Sequence, residues 1–124
     1  MPLHKAVISA TGVYTPVLSI SNAELVEAFN AWASAENARN APRIESGEME
    51  AIGLSSEEFI VKASGIERRY VLNKSGVLDP KVMHPVLPER GDDEISVMAE
   101  MAVSAANEAL GKAGKSAADI DGVI

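Results

Sequence analysis

Lys62-Ala-Ser-Gly-Ile-Glu-Arg-Arg-Tyr-Val71 decides the fold class, because the residue period changes in its middle. Just ahead of it, Phe59, Ile60 and Val61 lead into Ser64-Gly65, which predicts a helical segment over Glu57 to Ala63 stopped by a glycine. Beyond the stop, Ile66 to Leu72 alternates charged and apolar residues, as a strand with one wet face does. Arg68 and Arg69 then point to opposite faces of that strand. A helix feeding a strand within so short a stretch predicts an α/β chain.

Upstream, the β-branched run Lys5 to Ala10 ends at Thr11-Gly12 and predicts a first, buried strand, followed by a loop that closes at Pro16. Ser21-Asn-Ala-Glu24 has the spacing of a capping box, and Leu25, Phe29 and Trp32 follow on one face, so a helix is expected over about 22–38. Trp32 reads as a core or interface anchor on that face. From Asn37 to Glu58 the pattern loosens. Pro42 breaks the helix and a glutamate-rich, solvated lobe is expected after it.

Downstream, Asn73 to Asp93 holds Pro80, Pro85, Pro88 and Gly91 without sustained periodicity, which predicts a surface excursion. After Asp92-Asp93 a helix is expected with Ile95, Met98, Ala102, Ala105, Ala106, Ala109, Leu110 and Ala113 on one stripe and Gly114 as its stop. Its alanines allow close approach to another backbone. Ser116-Ala-Ala-Asp119 predicts one more capped turn, and Gly122-Val123-Ile124 reads as the start of a buried strand. The polypeptide is therefore expected to continue past Ile124, with these residues a fragment.

The 124 residues, 47% of them hydrophobic, have the size of one ordinary domain with a modest core, so one compact unit is expected. A net charge of -7, with 18 acidic against 11 basic residues, argues against a protein that tracks nucleic-acid phosphates. Absence of cysteine excludes disulfides, thiolate metal sites and a thiol nucleophile from these residues. No apolar run approaches the roughly 18 residues needed to cross a bilayer. No signal peptide is read at the N-terminus, and a soluble, cytoplasmic protein without membrane contact is expected.

His4 and His84 belong to no metal-ligand spacing, so no metal site is expected. No dinucleotide or nucleotide-phosphate glycine motif and no nucleophile-elbow serine occurs. Asp92-Asp93-Glu94 reads as negative charge at a helix N-terminus rather than as a catalytic cluster. Arg68 or Arg69 could meet a phosphate or an acidic partner, or form an ordinary surface pair. Residue chemistry alone thus yields an α/β portion without a catalytic set.

The order of these words carries a resemblance: strand, Thr11-Gly12, Pro16, Asn22-x-Glu24-Leu25, Phe59-Ile60-Val61, Ser64-Gly-Ile-x-x-Arg69, the alanine-rich helix, and Asp119-Ile-Asp-Gly-Val-Ile124. It resembles the opening of a β-ketoacyl-acyl carrier protein synthase III over His4 to Phe29, Glu57 to Leu72 and Glu94 to Ile124. The stretches at about 38–56 and 73–93 depart from the family's shorter pattern.

The resemblance implies a thiolase-like layered α/β/α/β/α fold, of which residues 1–124 are a partial N-terminal half-domain, and a homodimer. It implies decarboxylative Claisen condensation of an acyl thioester with malonyl-acyl carrier protein in fatty-acid synthesis. Coenzyme A thioester and acyl carrier protein would then be substrate and partner, without a permanently bound cofactor. The catalytic Cys, His and Asn of such an enzyme are expected beyond Ile124, so this fragment alone is expected to be inactive.

The carrier-facing positions that the resemblance implies are Phe59, where the family commonly has tryptophan, Ser64, and Arg68. Ala63 stands where the family has an arginine for coenzyme A phosphates, leaving Arg68 or Lys62 as substitutes. Those departures favour either a different primer, such as a longer acyl chain, or a branch in which Arg68 or Lys62 takes the arginine's place. The excursions at about 38–56 and 73–93 are expected to adjust donor choice. Two other readings remain: another thiolase-fold condensing enzyme such as a hydroxymethylglutaryl-CoA synthase, and a non-catalytic acidic interaction module.

Overall fold

The computed structural model describes residues 6–124, which form a mixed α/β chain with one two-stranded sheet. Its elements are β1 (Leu18–Ser21), α1 (Asn22–Arg39), α2 (Ala41–Glu45), α3 (Glu57–Ser64), β2 (Arg68–Val71), α4 (Ser75–Leu78), α5 (Val97–Ala113) and a 3-10 turn at Ala117–Asp119. Two compact units result instead of one: Pro16–Pro88, and Glu89–Ile124 together with the described part of Met1–Thr15.

In the unit Pro16–Pro88, α1 starts where the sequence requires. The Ser21 side chain accepts from the Glu24 amide at 3.2 Å while the Glu24 carboxylate accepts from the Ser21 amide at 2.9 Å, closing the capping box. Lys74 adds an ion pair at 2.7 Å to the same carboxylate. These contacts, led by the Lys74 hydrogen bond, lower the Glu24 pKa to about 2. At the far end the helix stops at Asn40, and Pro42 sits in the first turn of α2, where its missing N–H costs no hydrogen bond.

The segment after α2 is strapped to α1 rather than solvated throughout. Asn30 donates to the Ser55 carbonyl at 3.0 Å and accepts from the Ser55 amide at 2.8 Å. Seven residues along, Asn37 does the same with Ile52, at 2.9 and 2.8 Å. Two side-chain amides on one helix face thus imitate the edge of a sheet.

α3 ends at Gly65, in left-handed backbone, as its sequence predicts. β2 then pairs antiparallel with β1, Leu18 opposite Val71 and Ile20 opposite Arg69. Ile20, Asn22, Ala28, Ala33 and Gly76 are the buried residues among those described, and all lie in this unit. The 73–93 excursion is also more ordered than its lack of periodicity predicts. It contains α4, and Gly76 is buried so closely beneath the His84 carbonyl that a side chain there would collide with backbone.

In the other unit, α5 begins after Ser96, whose side chain accepts from the Ala99 amide at 3.1 Å, and ends at Gly114 in left-handed backbone. Ile95 therefore lies outside the helix. Asp92-Asp93-Glu94 does not decorate its first turn: Glu94 folds back to accept from the Gly91 amide at 2.8 Å, and Glu100 is the first-turn acid. Serine wins the cap because its short oxygen reaches the free amides directly. Gly12 lies against the α5 backbone at Ala105 and Ala109, the close approach that small residues permit. The Val13 amide donates to Glu108 at 2.7 Å beside it.

Neither outer strand expectation is met. Ala6 to Ala10 has no strand, Val7 and Ile8 are exposed, and Gly122-Val123-Ile124 likewise has no strand and is exposed. A strand needs a partner for its backbone groups, and none of the described residues supplies one to either segment. His4 and Lys5 lie outside the described residues. No helix among the described residues is long and apolar enough to cross a membrane.

Candidate functional site

The unit Pro16–Pro88 contains an open cleft of about 480 Å3 with a mostly apolar lining. α1 contributes Leu25, Val26 and Phe29, spaced to fall on one helical face. The strapped segment contributes Gly53, Leu54 and Ser55, α3 contributes Phe59 and Ile60, and β2 contributes Arg69. Met83 closes the list from the excursion after α4. The segments that follow α2 and α4 thus reach one cleft.

Arg69 is placed by a relay. Asn22, 3% exposed, donates from its amide nitrogen to the Ile66 carbonyl at 2.8 Å, and its amide oxygen accepts from the Arg69 guanidinium at 2.9 Å. Because the Ile66 carbonyl can only accept and the guanidinium can only donate, both ends of the Asn22 amide are fixed. Arg69 makes no ion pair among the described residues. A cation therefore stands beside an apolar surface, an arrangement that suits an amphiphilic ligand with a polar or anionic group next to an apolar arm.

The sequence-derived positions separate in space. Phe59 lies on the cleft wall with its ring largely exposed, free to stack. Ser64 is committed to the end of α3, its hydroxyl donating to the Ile60 carbonyl at 2.8 Å and accepting from the Ile66 amide at 3.2 Å. Arg68 is exposed, while its half-buried neighbour Arg69 reaches the cleft, so strand alternation gives the inward position to Arg69. Ala63 and Lys62 occupy the exposed last turn of α3. Leu54 and Met83 were not legible as lining residues because both sit in aperiodic segments, and cleft membership there depends on tertiary folding.

Trp32 packs on Phe29 with ring centroids 5.6 Å apart and is half-buried, in keeping with an anchor on α1. His84 is exposed, its ring nitrogen within 3.0 Å of the Pro85 carbonyl. No cluster of three or more His, Asp or Glu suited to a metal ion occurs among the described residues.

No family model matches the chain. It is, however, 57% identical over 99 residues to a beta-ketodecanoyl-[acyl-carrier-protein] synthase of Pseudomonas aeruginosa. The match takes in 80% of this chain, and the chain spans 28% of the length of that curated relative. The resemblance to a β-ketoacyl-acyl carrier protein synthase drawn from the sequence is borne out by this similarity.

Proposed function

We propose that these residues are part of a condensing enzyme of fatty-acid synthesis, an acyltransferase of the 3-oxoacyl-acyl carrier protein synthase III type. The observation that carries it is the 57% identity to a beta-ketodecanoyl-[acyl-carrier-protein] synthase. The complete protein joins an acyl thioester to malonyl-acyl carrier protein with loss of carbon dioxide. By analogy with the product named for the relative, the primer is an acyl group two carbons shorter than decanoyl.

On this reading the fold is thiolase-like, the assembly is a cytoplasmic homodimer, and acyl carrier protein is the partner. The nucleophilic cysteine, absent from these 124 residues, and the assisting His and Asn belong to the remaining length. A cysteine at the N-terminus of a buried helix takes the acyl group as a thioester, its thiolate favoured by the helix dipole. Decarboxylation of the malonyl group then releases carbon dioxide and supplies the carbanion, which attacks that thioester, breaks its acyl C–S bond and returns the cysteine as thiolate.

The contribution of this chain is to present the donor. Phe59 offers a stacking surface for the carrier arm, Arg68 an exposed charge for the carrier, and Ser64 a fixed turn between them. Arg69 stands on the cleft side in place of the missing arginine at Ala63, supported by its relay through Asn22.

The test is condensation by the full-length protein of an acyl-CoA length series with malonyl-acyl carrier protein, followed by product mass. Formation of β-ketoacyl-acyl carrier protein, best with medium-length primers, is expected. Failure with every primer length, or condensation of acetyl-CoA with acetoacetyl-CoA instead, would overturn the reading.

A further inference from the structure

Met83 is the one described non-glycine residue with left-handed backbone, at φ 56°. A side chain in that region carries a steric cost, so surrounding contacts must impose the conformation. Those contacts are on both sides of it. Upstream, the Asp79 carbonyl accepts from both the Val82 amide at 3.0 Å and the Met83 amide at 2.9 Å, while the Asp79 carboxylate accepts from the Lys81 amide at 2.8 Å. Downstream, the His84 carbonyl rests on buried Gly76, where nothing larger than glycine fits. The turn is held from both ends, and Met83 lines the apolar cleft that Phe59 and Leu54 also line.

We infer that Met83 is a specificity-determining residue that closes the cleft over the apolar arm of the donor thioester. The inference rests on the reading of the protein as a condensing enzyme. Three features support it beyond strain. The cleft volume of about 480 Å3 lies in the range of small-molecule sites, its lining is mostly apolar, and Arg69 offers a charge at its wall. A thioether side chain is flexible and polarisable, and packs well against aromatic rings and alkyl chains alike. The apolar arm has two sources, the fatty acyl chain and the pantetheine of the carrier.

The test uses the full-length protein and non-reactive S-alkyl thioethers of coenzyme A and of pantetheine, over a series of alkyl lengths, with binding measured by calorimetry. Met83→Gly removes the side chain while remaining at ease in left-handed backbone. Met83→Leu restores an apolar side chain of similar volume. The expected result is an approximately tenfold loss of affinity in Met83→Gly, the scale of one lost apolar contact in a pocket, with recovery in Met83→Leu and unchanged thermal stability.

A loss that grows with alkyl length assigns the contact to the acyl chain. An equal loss at all lengths on both carriers assigns it to pantetheine, and either result supports the inference. Equal affinities of wild type and Met83→Gly across the whole set, or no binding by wild type, would overturn it. A wild type that binds these thioethers but condenses no primer would overturn the functional reading alone.

Discussion

Asn30→Ala should release the strapped segment from α1 at one defined point. The asparagine makes two bonds to Ser55, at 2.8 and 3.0 Å, each contributing about 1 kcal/mol net. Alanine is the better helix former by roughly 0.6 kcal/mol, which offsets part of that loss. About 1.4 kcal/mol remains, or roughly a tenfold rise in the local opening equilibrium. Asn37→Ala should act equally on Ile52, and since two helical turns, about 10 Å, separate the sites, the effects should be nearly additive. Asn30→Asp, which keeps the acceptor and loses the donor, should fall between wild type and alanine. The assay is amide hydrogen exchange of the full-length protein, read at Ile52 and Ser55. An acceleration below about twofold at Ser55 in Asn30→Ala would refute the reasoning, as would an equal acceleration throughout α1.

Gly12→Ala should destabilise the unit containing α5 by about 1–3 kcal/mol, because the new methyl would meet the Ala109 amide nitrogen at 2.7 Å and the Ala105 carbonyl, neither of which can rotate away; an unchanged denaturation midpoint would contradict the packing. Glu24 has a folded-state pKa of about 2, below its ordinary 4.5. Its stabilising contribution should therefore be complete above about pH 4.5 and disappear as pH falls toward 2. The stability gap between wild type and Glu24→Gln, followed by denaturant titration across that range, should close on acidification. A gap independent of pH would exclude the carboxylate as its source.

Local signals were legible wherever a residue acts on its own neighbours. The Ser21 capping box, the Gly65 and Gly114 stops and the Ser116 turn depend on contacts within a few residues, and all form as their spacing predicts. β1 was missed because it is short and acquires its meaning only from β2, distant in sequence. The strand expected at Lys5 to Ala10 failed, in its described part, for the complementary reason: β-branched composition favours extension but cannot provide a pairing edge. At the cleft, Phe59 could be named from the sequence, whereas the choice between Arg68 and Arg69 needed the register that turns one of them inward. Asn30 and Asn37 gave no signal at all. Asparagine on a helix face is ordinarily solvated, and nothing in its spacing announces a backbone partner.

The relay through Asn22 has a consequence for the timing of order. A long cationic side chain ordinarily samples many rotamers, and a ligand that captures it must suppress that freedom. Arg69 is already held by an amide that is itself locked to the Ile66 carbonyl, so its rotamers are restricted when the chain folds. An incoming anionic group would find a charge with a fixed direction, and discrimination at the cleft would rest on ligand shape rather than on how readily the protein rearranges.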